Sequence, residues 1–301
     1  MLGVVNLDKP VGPTSHDMVG LLRRLTASRR IGHAGTLDPL ASGVLPILVG
    51  GATRFSEELT GGSKRYDAVI RLGATSATDD GEGPIIPGER SLPDDDAIRA
   101  ALGTFVGSFD QLPPAFSARK SGGRTAHRAA RAGEPLVLAA RRVTVHGIEL
   151  RAITRGEGTV DVAVDLRTGA GTYVRSIARD LGQALGCGGY LLALRRTEAA
   201  GLRVEDALTP EQLERLRDGG RLADAVLPVA DLLPLPRVRL TEADAVRFRN
   251  GSRIALVGET DADAADGRRV VLDRSDQLLG VGSVLAGQLQ PEKVLAPTGT
   301  A

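Results

Sequence analysis

The chain has one cysteine, Cys187, no tryptophan, and only four histidines in 301 residues. A single thiol excludes an internal disulfide, and so few histidines leave no Cys/His spacing of the kind that builds a zinc site. Cys187 lies in Gly186-Cys187-Gly188-Gly189 with no histidine beside it in sequence, which reads as a turn thiol rather than a nucleophile. Glycine loops of the Walker or Rossmann form are missing too. The expectation is chemistry without a metal and without cofactors. No apolar run approaches the roughly 20 residues of a membrane span. The start, Met1-Leu2-Gly3-Val4-Val5-Asn6, also lacks the basic and long apolar regions of a signal peptide. A soluble, cytoplasmic protein is expected.

Strong charge of one sign is absent as well: the net charge is +1, whereas a dedicated nucleic-acid binder is often strongly basic. Distribution says more than the sum. Acids gather at Asp79, Asp80, Glu82, Glu89, Asp94, Asp95 and Asp96. In contrast Arg119, Lys120, Arg124, Arg128, Arg131, Arg141 and Arg142 share their segment with a single acid, Glu134. That basic segment is either a footprint for phosphates or a solvated face.

What is present is a core, with 42% hydrophobic residues in a chain long enough for two domains. Short strand-like stretches alternate with amphipathic helical ones, without the βαβ rhythm of a parallel sheet, and this predicts α+β architecture. Thr159 to Leu166 alternates strictly, as a strand with one buried face does. After the turn at Arg167 to Thr172, the stripe Val174, Ile177, Ala178, Leu181 and Leu185 predicts a helix with Thr172 as its N-cap. A second helix is opened by Thr209-Pro210-Glu211-Gln212, a capping box with proline at the first helical position. Leu232-Leu233-Pro234-Leu235-Pro236 then reads as an extended linker and a domain boundary. Beyond it the pattern gives a helix from Thr241 to Phe248, stopped by Asn250-Gly251, and strands at Arg253 to Val257, Arg269 to Leu272 and Leu278 to Gly282. Asp261 to Gly267 reads as a polar loop.

The segment richest in information is Gly32-His33-Ala34-Gly35-Thr36-Leu37-Asp38-Pro39-Leu40-Ala41-Ser42-Gly43. Three glycines open backbone angles closed to other residues, Pro39 locks one dihedral, and the loop holds one carboxylate, Asp38, on a stiff support. The apolar run Val44 to Val49 that follows has strand length and anchors the loop to a core. The competing reading is a tight turn whose Asp bonds its own backbone.

Six segments together resemble the bacterial tRNA pseudouridine synthases of the TruB type. They are Asn6 to Ser15, the Gly32 to Gly43 loop, Lys64-Arg65-Tyr66, Arg71-Leu72-Gly73 leading to Asp79-Asp80-Gly81, Gln111 to Lys120, and Gly171 to Arg175 followed by Leu194-Arg195-Arg196. The resemblance covers the first three-quarters of the chain. It implies a catalytic domain with a mixed or antiparallel sheet over 1–231, carrying a thumb-like RNA-binding insertion at 117–142. A small strand-rich PUA-like domain over 237–296 is implied to follow. The implied activity is isomerisation of the T-loop uridine at tRNA position 55. The implied partner is the tRNA T stem-loop, with no membrane and no protein partner, and the protein acting as a monomer.

By the same resemblance Asp38 is the nucleophile. Arg175 would hold it ionised through paired hydrogen bonds. Tyr66 would place its ring against the target base and its hydroxyl near the sugar or C5. Tyr173 and Leu194 match further base-contact positions. His33 matches the residue that fills the space left when the nucleotide leaves its stack. Arg119, Lys120, Arg124, Arg128 and Arg131 suit the RNA backbone, and Lys9-Pro10 suits support of the catalytic loop. The chain departs from the family pattern in carrying His127 where tyrosine is common, and at Phe116 it has phenylalanine where tyrosine and phenylalanine alternate. Two other readings compete. One is a non-catalytic RNA-binding module, and the other is a hydrolase with paired carboxylates, for which Asp80 is the candidate second acid.

Overall fold

A computed structural model describes residues 1–88, 91–117, 120–121, 124–125, 129, 134, 136, 138–256 and 266–296. Strands in the first part are β1 (Gly3–Lys9), β2 (Ile31–His33), β3 (Ala41–Val49), β4 (Lys64–Leu72), β5 (Ala74–Ser76), β6 (Ile85–Pro87) and β7 (Gly107–Gln111). A short hairpin follows, β8 (Lys120–Ser121) with β9 (Arg124–Thr125), and then β10 (Arg141–Gly156), β11 (Thr159–Thr168), β12 (Gly189–Ala199) and β13 (Leu202–Arg203). The last strands are β14 (Arg237–Arg239), β15 (Ile254–Ala255), β16 (Gly267–Leu272), β17 (Leu278–Leu285) and β18 (Gln288–Val294). Helices are α1 (Ser15–Thr26), α2 (Ser56–Thr60), α3 (Asp95–Gly103), α4 (Val174–Ala184), α5 (Pro210–Asp218) and α6 (Glu242–Arg249).

A nine-stranded sheet runs in the order β1-β3-β12-β4-β11-β10-β7, with β2 beside β3 and β13 beside β12. Every pairing in it is antiparallel except β3 with β12. The architecture is α+β with a mixed, mainly antiparallel sheet, as the pattern of elements implies.

The apolar run of β3 has a physical reason. Leu45, Ile47 and Val49 pack with Met18, Val19 and Leu22 of α1 and with Leu213 of α5. Val44 and Leu48 point to the other face and pack with Phe55, Leu59 and the C-terminal strands. A strand covered on both faces needs no polar alternation. By contrast β11 alternates as expected, its Val160, Val162 and Val164 buried against α4.

Local capping rules are obeyed at four of the described helices. Thr14 and Asp17 form a capping box on α1, Asp94 accepts from Ala97 N on α3, Thr209 and Gln212 form the expected box on α5, and Thr241 accepts from Asp244 N on α6. The cap expected at Thr172 is not used. The N-cap of α4 is Tyr173, and Thr172 Oγ1 donates instead to Gly169 O at 3.2 Å. Of the strand expected at Arg253 to Val257, only Ile254–Ala255 forms, and Val257 lies outside the described residues, as does most of the Asp261 to Gly267 loop.

A second, five-stranded sheet runs β14-β16-β17-β18-β15. Its Val271 and Leu279 face α6 and pack on Phe248. Val270, Leu272 and Val281 turn the other way and share a core with Val4, Val44, Phe55 and Leu59 of the first sheet's side. The docking is reinforced at Glu58, whose side chain is 3% exposed and lies 2.6 Å from Arg268 and 2.9 Å from Lys293. Leu233 of the proline-rich segment is buried in the same shared core, and Leu235 N bonds Leu233 O at 2.8 Å, so that segment turns and packs down where an extended linker is expected.

Candidate active site

The glycine loop between β2 and β3 is held by side-chain donors from several directions. Ser15 Oγ accepts from Leu37 N at 2.8 Å and donates to Leu37 O at 2.9 Å. Lys9 Nζ, fully buried, donates to Ala41 O at 2.7 Å and to Pro10 O at 2.8 Å, with Pro39 O at 3.5 Å. Burial pushes the Lys9 ammonium down to about 8, although neighbouring Asp38 acts the other way. Arg196 donates to Val44 O, Gly35 O and Thr36 O at 2.7, 3.0 and 3.4 Å. Ala41 N closes the tip onto Asp38 O at 3.0 Å, and Gly12 N bonds Pro39 O at 2.8 Å. Gly35 takes φ +92, a conformation that favours glycine. A loop so fastened keeps the Asp38 carboxylate in one place.

That carboxylate is half-buried, and its Oδ2 lies 3.0 Å from Nε of Arg175, whose side chain is 6% exposed. The rest of the guanidinium is committed elsewhere. Nη1 lies 3.3 Å from Asp80 Oδ2 and donates to Thr78 O at 3.0 Å, while Nη2 donates to Phe116 O at 2.9 Å. The paired hydrogen bonds expected between Arg175 and Asp38 are therefore replaced by a one-nitrogen ion pair, because two carbonyls and a second acid occupy the fork. Asp80 itself is buried, accepting at Oδ1 from Thr78 Oγ1 at 2.5 Å and from Glu82 N at 3.1 Å. Burial pushes the Asp38 carboxyl above its ordinary value; Arg175 and Lys9 oppose the shift, and Asp80 adds to it.

Strand register assembles the remaining residues. Leu194 on β12 pairs with Ala41, three residues after Asp38, and with Ala68 on β4. Tyr66 on β4 stands opposite Arg196 of β12 and Leu166 of β11, and is buried. Tyr173 is fixed by Gln111, whose Oε1 accepts from Tyr173 N at 2.9 Å and whose Nε2 donates to Tyr173 O at 3.1 Å. His33 on β2 keeps Nδ1 buried without a hydrogen-bond partner. Burial first, then Arg196 and His16, hold the His33 imidazole below its ordinary value, favouring the neutral ring.

Asp38 and Arg175 thus meet beside the start of α4, while register places Leu194 and Tyr66 on the neighbouring strands β12 and β4. Asp80, Gln111 and Arg196 are supporting residues that lie within the segments carrying the family resemblance, but the sequence assigned them none of these contacts, which depend on distant segments brought together. Of the expected RNA-backbone residues, Arg119, Arg128 and Arg131 lie outside the described residues. Lys120 and Arg124 lie in the β8–β9 hairpin, their side chains undescribed. Among the described residues no cluster of three or more His, Cys, Asp or Glu is placed to hold a metal ion, and no helix is long and apolar enough to cross a membrane.

Comparison with known proteins identifies the family. Residues 23–174 match the model of the TruB family pseudouridylate synthase N-terminal domain, residues 175–234 that of the tRNA pseudouridylate synthase B C-terminal domain, and residues 236–295 that of the pseudouridine synthase II TruB C-terminal region. The tRNA pseudouridine synthase B of Ralstonia nicotianae is 41% identical over 97% of this chain and 94% of its own length. That of Burkholderia lata is 42% identical over 97% and 90%. Among solved structures, an H/ACA RNP bound to a substrate RNA containing 2'-deoxyuridine includes a chain that superposes with a TM-score of 0.75 and 25% identity, over 99% of this chain and 86% of that one. The family's models together span almost the whole sequence, and the chain belongs to the TruB family of pseudouridine synthases.

Proposed function

We propose that the protein is a tRNA pseudouridine synthase that isomerises the T-loop uridine at position 55, with Asp38 as the nucleophile. The observation that carries the reading is the half-buried Asp38 carboxylate, presented on a braced loop and touching the buried guanidinium of Arg175. Isomerisation breaks the N1–C1′ bond and forms C5–C1′; N1 gains one proton and C5 loses one, so nothing else is consumed. A positioned carboxylate, a proton acceptor near C5 and a site closed to water suffice.

Asp38 would drive cleavage of the N1–C1′ bond, with Arg175 and Lys9 opposing its protonation. Tyr66 would stack on the base and use its hydroxyl near C5. Tyr173 and Leu194 would complete the slot. His33, neutral and with a free Nδ1, suits the gap that a flipped nucleotide leaves. The basic stretch from Arg119 to Arg131 would contact the T-arm backbone. We assign the catalytic domain to 1–231, the thumb to 117–142 and the PUA-like domain to 237–296. The protein would act on tRNA in the cytoplasm as a monomer, without a protein partner.

A paired-carboxylate hydrolase needs a second acid facing the substrate. Asp80 is instead buried and turned toward Arg175, Thr78 and the Glu82 amide, which disfavours that reading. A purely RNA-binding role gives no reason for a reactive acid braced by three donors. The deciding experiment incubates the protein with unmodified tRNA transcript, with and without divalent metal, and maps pseudouridine chemically. Modification at position 55 in both conditions is expected; its absence there would overturn the proposal.

A further inference from the structure

Arg196 takes no part in the bond changes of the isomerisation, yet it is the largest fully buried side chain among the described residues, 1% exposed. Among the described residues it forms no ion pair; its acceptors are the carbonyls of Val44, Gly35 and Thr36. A buried cation without a carboxylate is costly, so its retention calls for a gain elsewhere. Strand register shows where. Arg196 sits between Gly43 of β3 and Tyr66 of β4. Directly opposed residues of an antiparallel pair project from the same face, so the Arg196 and Tyr66 side chains are cross-strand neighbours. On the other side a Cβ at Gly43, which takes φ +101, would stand 2.2 Å from Arg196 O, so only glycine lets the two strands approach this closely. Lysine would serve poorly in this setting, since burial pushes nearby Lys9 and Lys64 each down to about 8, whereas a guanidinium keeps its charge.

We propose that Arg196 is a positioning residue for the isomerisation: one guanidinium holds the rising limb of the Asp38 loop at Gly35 and Thr36, the descending strand at Val44, and the Tyr66 hydroxyl. It thereby sets the phenol against the loop that carries the nucleophile. The inference rests on the reading above in which Tyr66 acts on the base.

The test uses full-length R196K, R196M, Y66F and the double variant R196K/Y66F. R196K keeps a cation without the planar fork. R196M fills the space without a buried charge, so it keeps the test open should R196K fail to fold. Thermal unfolding and tRNA binding establish that each variant is folded. Single-turnover pseudouridine formation should fall about 30-fold or more in R196K and R196M, while the Kd for tRNA stays within about threefold. In the Y66F background the same R196K change should cost at least about threefold less than in the wild type, because only its hold on the loop and strand carbonyls remains. Wild-type turnover in R196K, an equal loss in both backgrounds, or a loss confined to Kd would each overturn the proposal. Wild-type turnover in Y66F alone would instead strike the parent reading, and this proposal with it.

Discussion

Arg175 meets Asp38 through one nitrogen, Nε at 3.0 Å from Oδ2, while its two terminal nitrogens serve Asp80 and the carbonyls of Thr78 and Phe116. The guanidinium is a hub joining the catalytic loop, the Thr78 to Glu82 turn and the Phe116 segment, and charge alone cannot replace it.

Arg175→Lys should therefore be nearly as damaging as Arg175→Ala. An ammonium cannot span four acceptors, and Asp80 is left buried with its partner weakened, at a cost of about 3 to 5 kcal/mol if the pair is fully broken. Single-turnover rates and urea unfolding check this. Full activity in the lysine variant would show that Arg175 supplies only general electrostatics.

Asp38→Asn keeps shape and polarity but removes the carboxylate proposed as the nucleophile. Isomerisation should disappear while tRNA binding stays within a few-fold. Turnover at about a tenth of the wild-type rate would sink the assignment.

The pH dependence of Asp38 has a definite sign. Burial places its folded-state value above the ordinary 3.8, so its contribution to stability is complete below that value and is lost as pH rises through the folded one. At neutral pH Asp38→Asn should have a higher Tm than the wild type, with the gap closing as the pH drops below about 4. The acid limb of the isomerisation rate should likewise lie above 3.8, since protonation would neutralise the proposed nucleophile. An acid limb at or below that value would contradict the burial argument.

Glu58 pins the C-terminal sheet to the rest of the protein. Despite its burial, Lys293 and Arg268 hold its carboxyl below the ordinary value of 4.5, so its contribution to stability is present above 4.5 and lost as pH falls through the lowered value. Glu58→Gln should cost about 1.5 to 3 kcal/mol at pH 7, and much less near pH 3. Thermal unfolding at the two pH values decides it: a difference independent of pH would mean that packing, not charge, makes the joint.

The basic segment proposed as a thumb tests the nucleic-acid claim. Replacing Arg124, Arg128 and Arg131 by glutamine should weaken tRNA binding and flatten the slope of log affinity against log salt by roughly 0.7 to 0.9 for each phosphate no longer neutralised. The weakening should not depend on sequence outside the T arm, because groups bound to phosphates position the ligand without reading bases. An unchanged slope would make these arginines an ordinary solvated face.

What the sequence determined by itself is whatever depends on near neighbours. The alternation of β11, the capping box at Thr209, the helix after Thr241 and the stiffness of the loop around Asp38 all follow from periods and turn chemistry within a dozen residues. The α4 cap marks the limit of such reasoning. Thr172 has the chemistry of an N-cap, but Gln111, 62 positions away, already satisfies both backbone groups of Tyr173 and fixes the turn there. Tertiary structure alone decided the partners of Arg196 and those of Arg175 other than Asp38, because each depends on which distant segments the sheet brings together. With β12 inserted between β3 and β4, Arg196 meets Gly43 on one side and Tyr66 on the other, and no spacing along the chain encodes that sheet order. Local periodicity says which face of a strand is buried; the neighbouring strand says what that face touches.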